Sequence, residues 1–114
     1  MRQYVREVKA KGAIPIICSL VLRNQWDKNN KIKLSDDSYA LWAEQIATEE
    51  GALFIDLNKK VAIEYEKMSA AELPQKFFSK DHTHTNLAGV ELNARVATDA
   101  IKQLDKCGLK GYLK

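Results

Sequence analysis

Two short apolar runs, each lying between amphipathic helical segments, constrain the fold of this chain more than any other feature. The runs are AIPIICSL, Ala13 to Leu20, and ALFID, Ala52 to Asp56. The first run is apolar on both faces, as buried strands of parallel sheets are. Pro15 counts against a strand, but its place near the start of the run makes it tolerable. The alternation of helices with these strands predicts parallel βα units and an α/β fold.

The helices are predicted from apolar residues at helical spacing and from capping residues at the ends. Ser35, Asn58 and Asn86 are the expected N-caps, and Ser69 to Glu72 has the spacing of a capping box, with Pro74 limiting that turn. The first helix should bury Met1, Tyr4, Val5 and Val8 and end at Gly12, and the second should bury Tyr39, Trp42, Ala43 and Ile46 and end at Gly51. The third should bury Val61, Ala62, Tyr65 and Met68. The last should bury Val90, Ala94, Ala97, Ile101 and Leu104 and end at Gly108.

The number of strands is low for such a fold. The 114 residues suffice for one domain, but two strands are few for a sheet with helices on both faces. One edge of the first strand would be bare and apolar, which natural proteins avoid. We therefore expect a partial doubly wound, flavodoxin-like three-layer fold whose further strands precede Met1. We also expect self-association through the exposed strand at residues 13–20.

Composition and charge exclude several classes of function. The net charge of +3 is mild, and lysines alternate with acidic residues along the chain, which indicates a solvated surface and not a nucleic-acid footprint. No apolar stretch approaches the length of a membrane span. Cys18 and Cys107 are the only cysteines and form no metal-binding or redox motif, so they do not fix the compartment.

The segment DHTH, Asp81 to His84, is the strongest candidate for chemistry, and three interpretations of it stay open. A carboxylate three residues before a histidine can orient the imidazole as the general base of a serine hydrolase. Asp81, His82 and His84 could instead supply three metal ligands, although the chain has no other histidine. A polar loop that only caps the next helix is the third interpretation.

The wider sequence resembles the C-terminal half of the SGNH hydrolases, the GDSL-type serine esterases. FSKDHTHTNLAG, Phe78 to Gly89, is similar to their C-terminal signature block, above all in members like the rhamnogalacturonan acetylesterases. The resemblance also covers RQYVREVKAKGAIPI and YALWAEQIATEEGALFIDLN. It includes LRNQW as well, where Leu22 stands in place of the family's proline. Nearly the whole chain is covered.

The resemblance implies a function and a set of site residues. Asp81 and His84 match the aspartate and histidine of the catalytic triad, and His82 lies between them without a catalytic role. Arg23 and Trp26 would line a carbohydrate cleft; alternatively, Trp26 anchors its loop and Arg23 pairs with a carboxylate. The intact relatives would remove acetyl groups from plant cell-wall polysaccharide such as rhamnogalacturonan, without a cofactor. Such relatives are usually secreted, while the compartment of this chain stays open.

The nucleophile of that triad is missing from the sequence. The family's Gly-Asp-Ser block and its oxyanion residues have no counterpart here. Ser19 ends the first strand, but no glycine beside it provides a tight turn, so we do not expect it to act as the nucleophile. Residues 1–114 are therefore expected to be the C-terminal part of a single SGNH-hydrolase domain, inactive alone. The alternative is a non-catalytic carbohydrate-binding or interaction module.

Overall fold

Two parallel strands lie between two layers of helices in the structure, a computed structural model that describes all residues from 1 to 114. The elements are α1 (Arg2–Ala10), β1 (Ile16–Cys18), α2 (Tyr39–Glu50), β2 (Leu53–Ile55), α3 (Leu57–Tyr65), α4 (Glu72–Phe77) and α5 (Leu87–Gln103), followed by a 3-10 helix at Gly108–Tyr112. This arrangement confirms the expected α/β class, a partial doubly wound fold with two parallel strands flanked by helices. No helix combines the length and apolar character that a membrane crossing needs.

The sheet is shorter than the apolar runs suggested. Ile16 pairs with Leu53, and the register continues to Cys18 opposite Ile55. Pro15 lies just outside β1, where its missing N–H costs nothing and its carbonyl accepts from the amide of Leu53 at 3.1 Å. Proline near the start of the run is therefore compatible with the strand, as expected.

The outer edge of β1 has no partner strand. Pro15 and Ser19 bond to β2 through their backbone groups. Because successive residues of a strand alternate in direction, the amide and carbonyl groups of Ile16 and Cys18 point to the open side. The bare edge that the sequence predicts is thus present in the structure.

Two separate apolar clusters cover the two faces of the sheet. The smaller one lies under α1 and α2 and consists of Val5, Ile17, Ala43 and Ala47. The larger one lies between the sheet and helices α3, α4 and α5; its most deeply buried side chains are Tyr65, Leu22, Leu73 and Val61. Tyr65 contacts the rings of Phe77 and Phe78 at centroid distances of 6.1 and 5.7 Å.

The predicted face of α2 was right for Ala43 and Ile46 and wrong for Tyr39 and Trp42, and the predicted cap was wrong. Ser35 belongs to the preceding loop because its amide donates to the side chain of Asn58 at 3.0 Å, and Ser38 is the N-cap. The buried residues of α2 are the alanines at 40, 43 and 47, whereas Tyr39 is 62% and Trp42 is 52% exposed. Small side chains allow the helix to approach the sheet closely, so the bulky residues lie outside.

The first and last helices also differ in part from the prediction. Only Val5 of α1 is buried. In α5, the predicted Val90 and Ala94 are exposed, whereas the predicted Ala97, Ile101 and Leu104 pack against the core beside Leu92 and Ala100. The rotation of α5 is set by Gly89, where an added Cβ would overlap the carbonyl oxygen of Phe77. Residues in register with Gly89 therefore face the core.

Of the other predicted helix caps, one was wrong and one is confirmed here. Asp56, not Asn58, caps α3, and its side chain accepts from the amide of Lys59 at 3.1 Å. Asn58 is instead buried in the first turn of α3. The capping box is confirmed, because the Ser69 amide donates to the Glu72 carboxylate at 3.0 Å and the Glu72 amide donates to the Ser69 hydroxyl at 3.2 Å.

Candidate active site

The segment from Phe78 to Asn86 forms a closed loop between α4 and α5. Phe78 and Thr85 form an antiparallel bridge at the base of the loop. The Ser79 amide donates to the His84 carbonyl at 2.9 Å, and the Asn86 amide donates to the Phe77 carbonyl at the same distance. These bonds fix the two ends of the loop, so that residues 80–83 extend from the base.

Asp81 organises the loop through both of its carboxylate oxygens. Oδ1 accepts the amide hydrogens of Thr83 and His84, each at 2.7 Å, and Oδ2 lies 2.7 Å from Nδ1 of His84. The hydrogen bond to the His84 ring, followed by the two amide bonds, holds the pKa of the Asp81 carboxyl well below its ordinary value. Asp81 therefore stays ionised and accepts a proton-bearing Nδ1.

His84 presents its second ring nitrogen to solvent. Its side chain is 78% exposed, and Nε2 makes no hydrogen bond within the chain. An imidazole with Nδ1–H bound to a carboxylate has its lone pair on Nε2. The pair can therefore take a proton from a hydroxyl that approaches from outside, and return it later.

Asn86 joins this loop to the two helices beside it. Its Oδ1 accepts from the Gly89 amide at 3.0 Å, which caps α5 as the sequence predicted. Its Nδ2 donates to the carbonyls of Lys76 at 3.0 Å and Phe78 at 3.3 Å. One side chain thus binds the end of α4, the base of the loop and the start of α5.

The loop after β1 lies beside the histidine segment. The amide of Asn24 donates to the carbonyl of His82 at 2.8 Å, a contact that the sequence alone did not indicate. The Asn24 side chain accepts the indole N–H of Trp26 at 2.8 Å, and Trp26 also pairs with Ile32 across the loop. Asn24 therefore connects this loop to the Asp81–His84 loop, and Trp26 holds the Asn24 side chain in place.

Arg23 and Trp26 differ in how much of their surface is free. Arg23 is exposed and makes no ion pair or side-chain hydrogen bond within the chain. Trp26 is partly buried against the larger core cluster, so its indole holds the loop in place while part of the ring stays accessible. The bond from the Asn24 amide to the His82 carbonyl brings the backbone beside Arg23 next to the histidine segment.

None of the five serines is placed to act with His84. Ser19 is buried, donates to Asp56 at 3.0 Å and accepts from the Asn58 amide at 2.8 Å. Ser69 is engaged in its capping box, and Ser79 meets His84 only through its backbone. No serine hydroxyl of the chain hydrogen-bonds the His84 imidazole.

Asp81, His82 and His84 do not form a set of metal ligands in the structure. His82 is exposed, and its carbonyl is used by Asn24. The structure contains no group of three histidine, cysteine, aspartate or glutamate side chains arranged to hold one ion. Asp81 directs its carboxylate to the His84 ring and to two backbone amides, and not to His82.

Comparison with known proteins supports the α/β fold described above. The chain matches no protein-family model. No curated protein matches it either. Among solved structures, it is similar to the crystal structure of protein YXIM_BACsu from Bacillus subtilis, with a TM-score of 0.85 and 27% sequence identity. The match covers 95% of this chain and 31% of that one, so this chain spans about a third of its length.

Proposed function

We propose that this chain supplies the general acid–base pair of an SGNH-type serine ester hydrolase, with His84 as the base and Asp81 as its orienting carboxylate. The single observation that carries the proposal is the 2.7 Å contact between Nδ1 of His84 and Oδ2 of Asp81, with Nε2 unengaged and exposed. The similarity to YXIM_BACsu across nearly the whole chain supports the fold that such a site requires.

In the proposed reaction, His84 moves one proton in two directions. Nε2 takes the proton of a serine hydroxyl as that oxygen attacks the ester carbonyl, and it then protonates the departing alcohol. Asp81 accepts the Nδ1 hydrogen throughout and stabilises the imidazolium that forms between the two steps. The serine and the oxyanion-hole donors come from residues outside this chain.

The proposed substrates are acetyl esters of plant cell-wall polysaccharide. Arg23 and Trp26 support this choice because their loop is bonded to the histidine segment through Asn24 and His82. A guanidinium and a partly accessible indole beside a catalytic base suit a hydroxyl-rich, ring-shaped ligand.

The chain alone should show almost no esterase activity, since the nucleophile and the oxyanion donors provide most of the rate enhancement of a triad. We expect it to hydrolyse p-nitrophenyl acetate no faster than free imidazole at the same concentration. A burst phase, or labelling by a serine-directed phosphonate, would contradict the assignment of all five serines to structural positions.

A chimera tests the role of His84 directly. The segment of an active SGNH esterase that carries its Asp-x-x-His block is replaced by this chain, and folding is checked by circular dichroism. His84→Ala should lower kcat by at least about a thousandfold. His82→Ala, the matched control two residues away, should retain activity. Equal effects of the two substitutions would end the proposal.

A non-catalytic carbohydrate-binding module is the second candidate, and the absence of a serine beside His84 favours it. In that case binding of pectin fragments should be lost in Trp26→Ala and retained in His84→Ala. Activity of the chimera that depends on His84 would decide against this candidate.

A further inference from the structure

Asn58 is a polar residue buried at the carboxyl ends of the two strands, and the proposed reaction does not use it. Only 3% of its surface is exposed. Its backbone amide donates to the Ser19 hydroxyl at 2.8 Å, which binds the first turn of α3 to the end of β1. A buried side-chain amide costs free energy unless its groups are hydrogen-bonded, so the partners of Asn58 indicate what it does.

The side chain of Asn58 binds one loop at both of its ends. Its Nδ2 donates to the Leu20 carbonyl at 3.2 Å, and its Oδ1 accepts from the Ser35 amide at 3.0 Å. Residues 20–35 belong to the loop between β1 and α2, with Leu20 near its beginning and Ser35 near its end. One side chain therefore holds the two ends of this loop together.

Packing alone holds this loop only in part. Leu22 and Ile32 are buried in the core, but a cavity of about 230 Å³ lies behind Arg23, between the loop and the end of β1. An empty space provides no contacts for the chain that borders it. The hydrogen bonds of Asn58, which also lines the cavity, therefore fix the ends of the loop on this side.

The middle of the loop is braced by bonds across it. The Lys33 amide donates to the Gln25 carbonyl at 2.7 Å, and Trp26 pairs with Ile32 in an antiparallel bridge. Because these bonds tie residues 25–33 to one another, we expect a shift at the ends of the loop to move the whole loop.

The loop reaches the histidine segment through a single backbone bond. The Gln25 amide donates to the Arg23 carbonyl at 2.9 Å, which forms a three-residue γ-turn around Asn24. The φ angle of Asn24 is not positive, so the turn is the inverse form. The Asn24 amide donates to the His82 carbonyl at 2.8 Å, and no other hydrogen bond joins residues 80–83 to a distant part of the chain.

We propose that Asn58 is a positioning residue for the acid–base pair of Asp81 and His84. Asn58 fixes the ends of the loop, the loop presents the Asn24 amide to His82, and this bond sets where the histidine segment stands relative to the carboxyl ends of the strands. Asn58 touches none of the reacting atoms. Its effect on catalysis rests on the proposed function, whereas the mechanical link to His82 can be measured in the chain alone.

Hydrogen exchange of the Asn24 amide tests the link in the full chain. Asn58→Ala removes both bonds to the loop. Ser19→Ala is the matched control, because Ser19 is equally buried and belongs to the same network but bonds only to Asp56 and the Asn58 amide. After correction for the stability of each variant in urea, exchange at Asn24 should be at least about tenfold faster in Asn58→Ala than in Ser19→Ala. Equal rates, or an Asn24 amide unprotected in the unaltered chain, would overturn the link.

The chimera described above measures the effect on catalysis. The substrate is p-nitrophenyl acetate, which is too small to report on sugar contacts of Arg23 or Trp26. Asn58→Ala should lower kcat by about ten- to a hundredfold, since a misplacement of about 1 Å far from the chemistry has an effect of this size. Ser19→Ala should retain kcat, although it also destabilises the fold. A residue needed only for stability would not separate these two variants.

Two substitutions of Asn24 isolate the bond to His82. Asn24→Pro removes the amide hydrogen, and the fixed φ of proline, about −65°, fits an inverse γ-turn. Asn24→Ala removes the same side chain and keeps the N–H group. Asn24→Pro should lower kcat as Asn58→Ala does, Asn24→Ala should retain it, and Asn58→Ala should add little to Asn24→Pro because both act through one bond.

The outcomes separate this inference from the proposed function. Equal kcat in Asn58→Ala and Ser19→Ala, or in Asn24→Pro and Asn24→Ala, would overturn the positioning role while the dependence on His84 remained. A chimera whose activity does not depend on His84 would refute the proposed function, and the exchange rates of the Asn24 amide would then decide on the link to His82 by themselves.

Discussion

Replacement of Asn86 by alanine tests how the loop that carries His84 is held in place. The side chain caps α5 through the Gly89 amide and donates to the carbonyls of Lys76 and Phe78. Loss of an N-cap of this kind costs about 1 kcal/mol. Each of the two amide bonds, at the partly exposed edge of the fold, contributes about 0.5–1 kcal/mol.

Together these bonds predict that Asn86→Ala lowers the free energy of unfolding by about 2–3 kcal/mol. A domain of this size has a total stability of about 5–15 kcal/mol, so the change is a substantial fraction. The melting temperature should fall by roughly 10 °C. Urea unfolding at neutral pH measures the change, and hydrogen exchange should show faster exchange at the Thr83 and His84 amides.

Two further variants separate the cap from the other two bonds. Asn86→Asp keeps an acceptor for the Gly89 amide, and aspartate is as good an N-cap as asparagine. It replaces the amide donor with a carboxylate oxygen facing two carbonyls, so we expect a loss of about 1–2 kcal/mol. Asn93→Ala, in the same helix, removes a buried side-chain oxygen that has no partner and should cost nothing.

An Asn86→Asp chain as stable as the unaltered one would refute this account of the loop. That result would mean that the bonds to Lys76 and Phe78 contribute nothing. A loss in Asn93→Ala as large as that in Asn86→Ala would show that any asparagine in α5 matters, whatever its contacts.

Tyr65→Phe should leave stability unchanged or raise it by about 1 kcal/mol in urea unfolding, because the buried Tyr65 hydroxyl has no hydrogen-bond partner. Burial also raises the pKa of Tyr65 to about 12, so the stability of the folded chain should fall as pH rises above about 10, the pKa of tyrosine in the unfolded chain. Tyr65→Phe should remove this pH dependence. A carbon-13 NMR titration should show the Asp81 carboxyl still ionised below about pH 3.9, because its pKa in the folded chain is depressed. Asp81 therefore stabilises the folded chain above the unfolded value of about 3.9, and this contribution is lost as pH falls below it. We also propose that the chain self-associates through the open edge of β1. Cys18→Lys should reduce this association, as measured by sedimentation velocity. A strictly monomeric chain with slow hydrogen exchange at the Ile16 and Cys18 amides would contradict the proposal.

The fold class could be predicted because its signals are local. Alternation of apolar runs with helical segments survives in a single sequence, and Asn86 and the Ser69–Glu72 box cap helices within three residues of themselves. The Asp81–His84 pair is equally local. Three residues of chain keep the carboxylate within reach of the imidazole.

Contacts between distant residues explain the failures. Ser35 looks like a helix cap in sequence, but Asn58, 23 residues away, takes its amide. Asn58 looks like the cap of α3, but its side chain binds Ser35 and Leu20 far away in the chain, and Asp56 caps the helix instead. The buried side of α5 depends on the approach of Gly89 to Phe77, and periodicity alone fits two faces of that helix.

The position of the candidate site relative to its surroundings was likewise hidden from the sequence. The contact between Asn24 and His82 joins residues that are far apart along the chain, and it alone places Arg23 beside the histidine segment. The cavity behind Arg23 combines residues from the end of β1, the loop and α3. No local pattern marks such a combination.

Asp81 performs two tasks with two different oxygens, and this separation permits a last prediction. Oδ1 orders the loop through the Thr83 and His84 amides, while Oδ2 fixes the tautomer of the His84 ring. The substitution Asp81→Asn keeps an oxygen for the two amides but presents an NH2 group to Nδ1. The ring must then accept at Nδ1 and carry its hydrogen on Nε2, which cannot act as a base. Long-range nitrogen–proton NMR of the neutral imidazole should show this exchange of tautomers, with the loop amides still protected. An unchanged tautomer would mean that the 2.7 Å contact does not orient the ring, and the proposed catalytic pair would lose its main support.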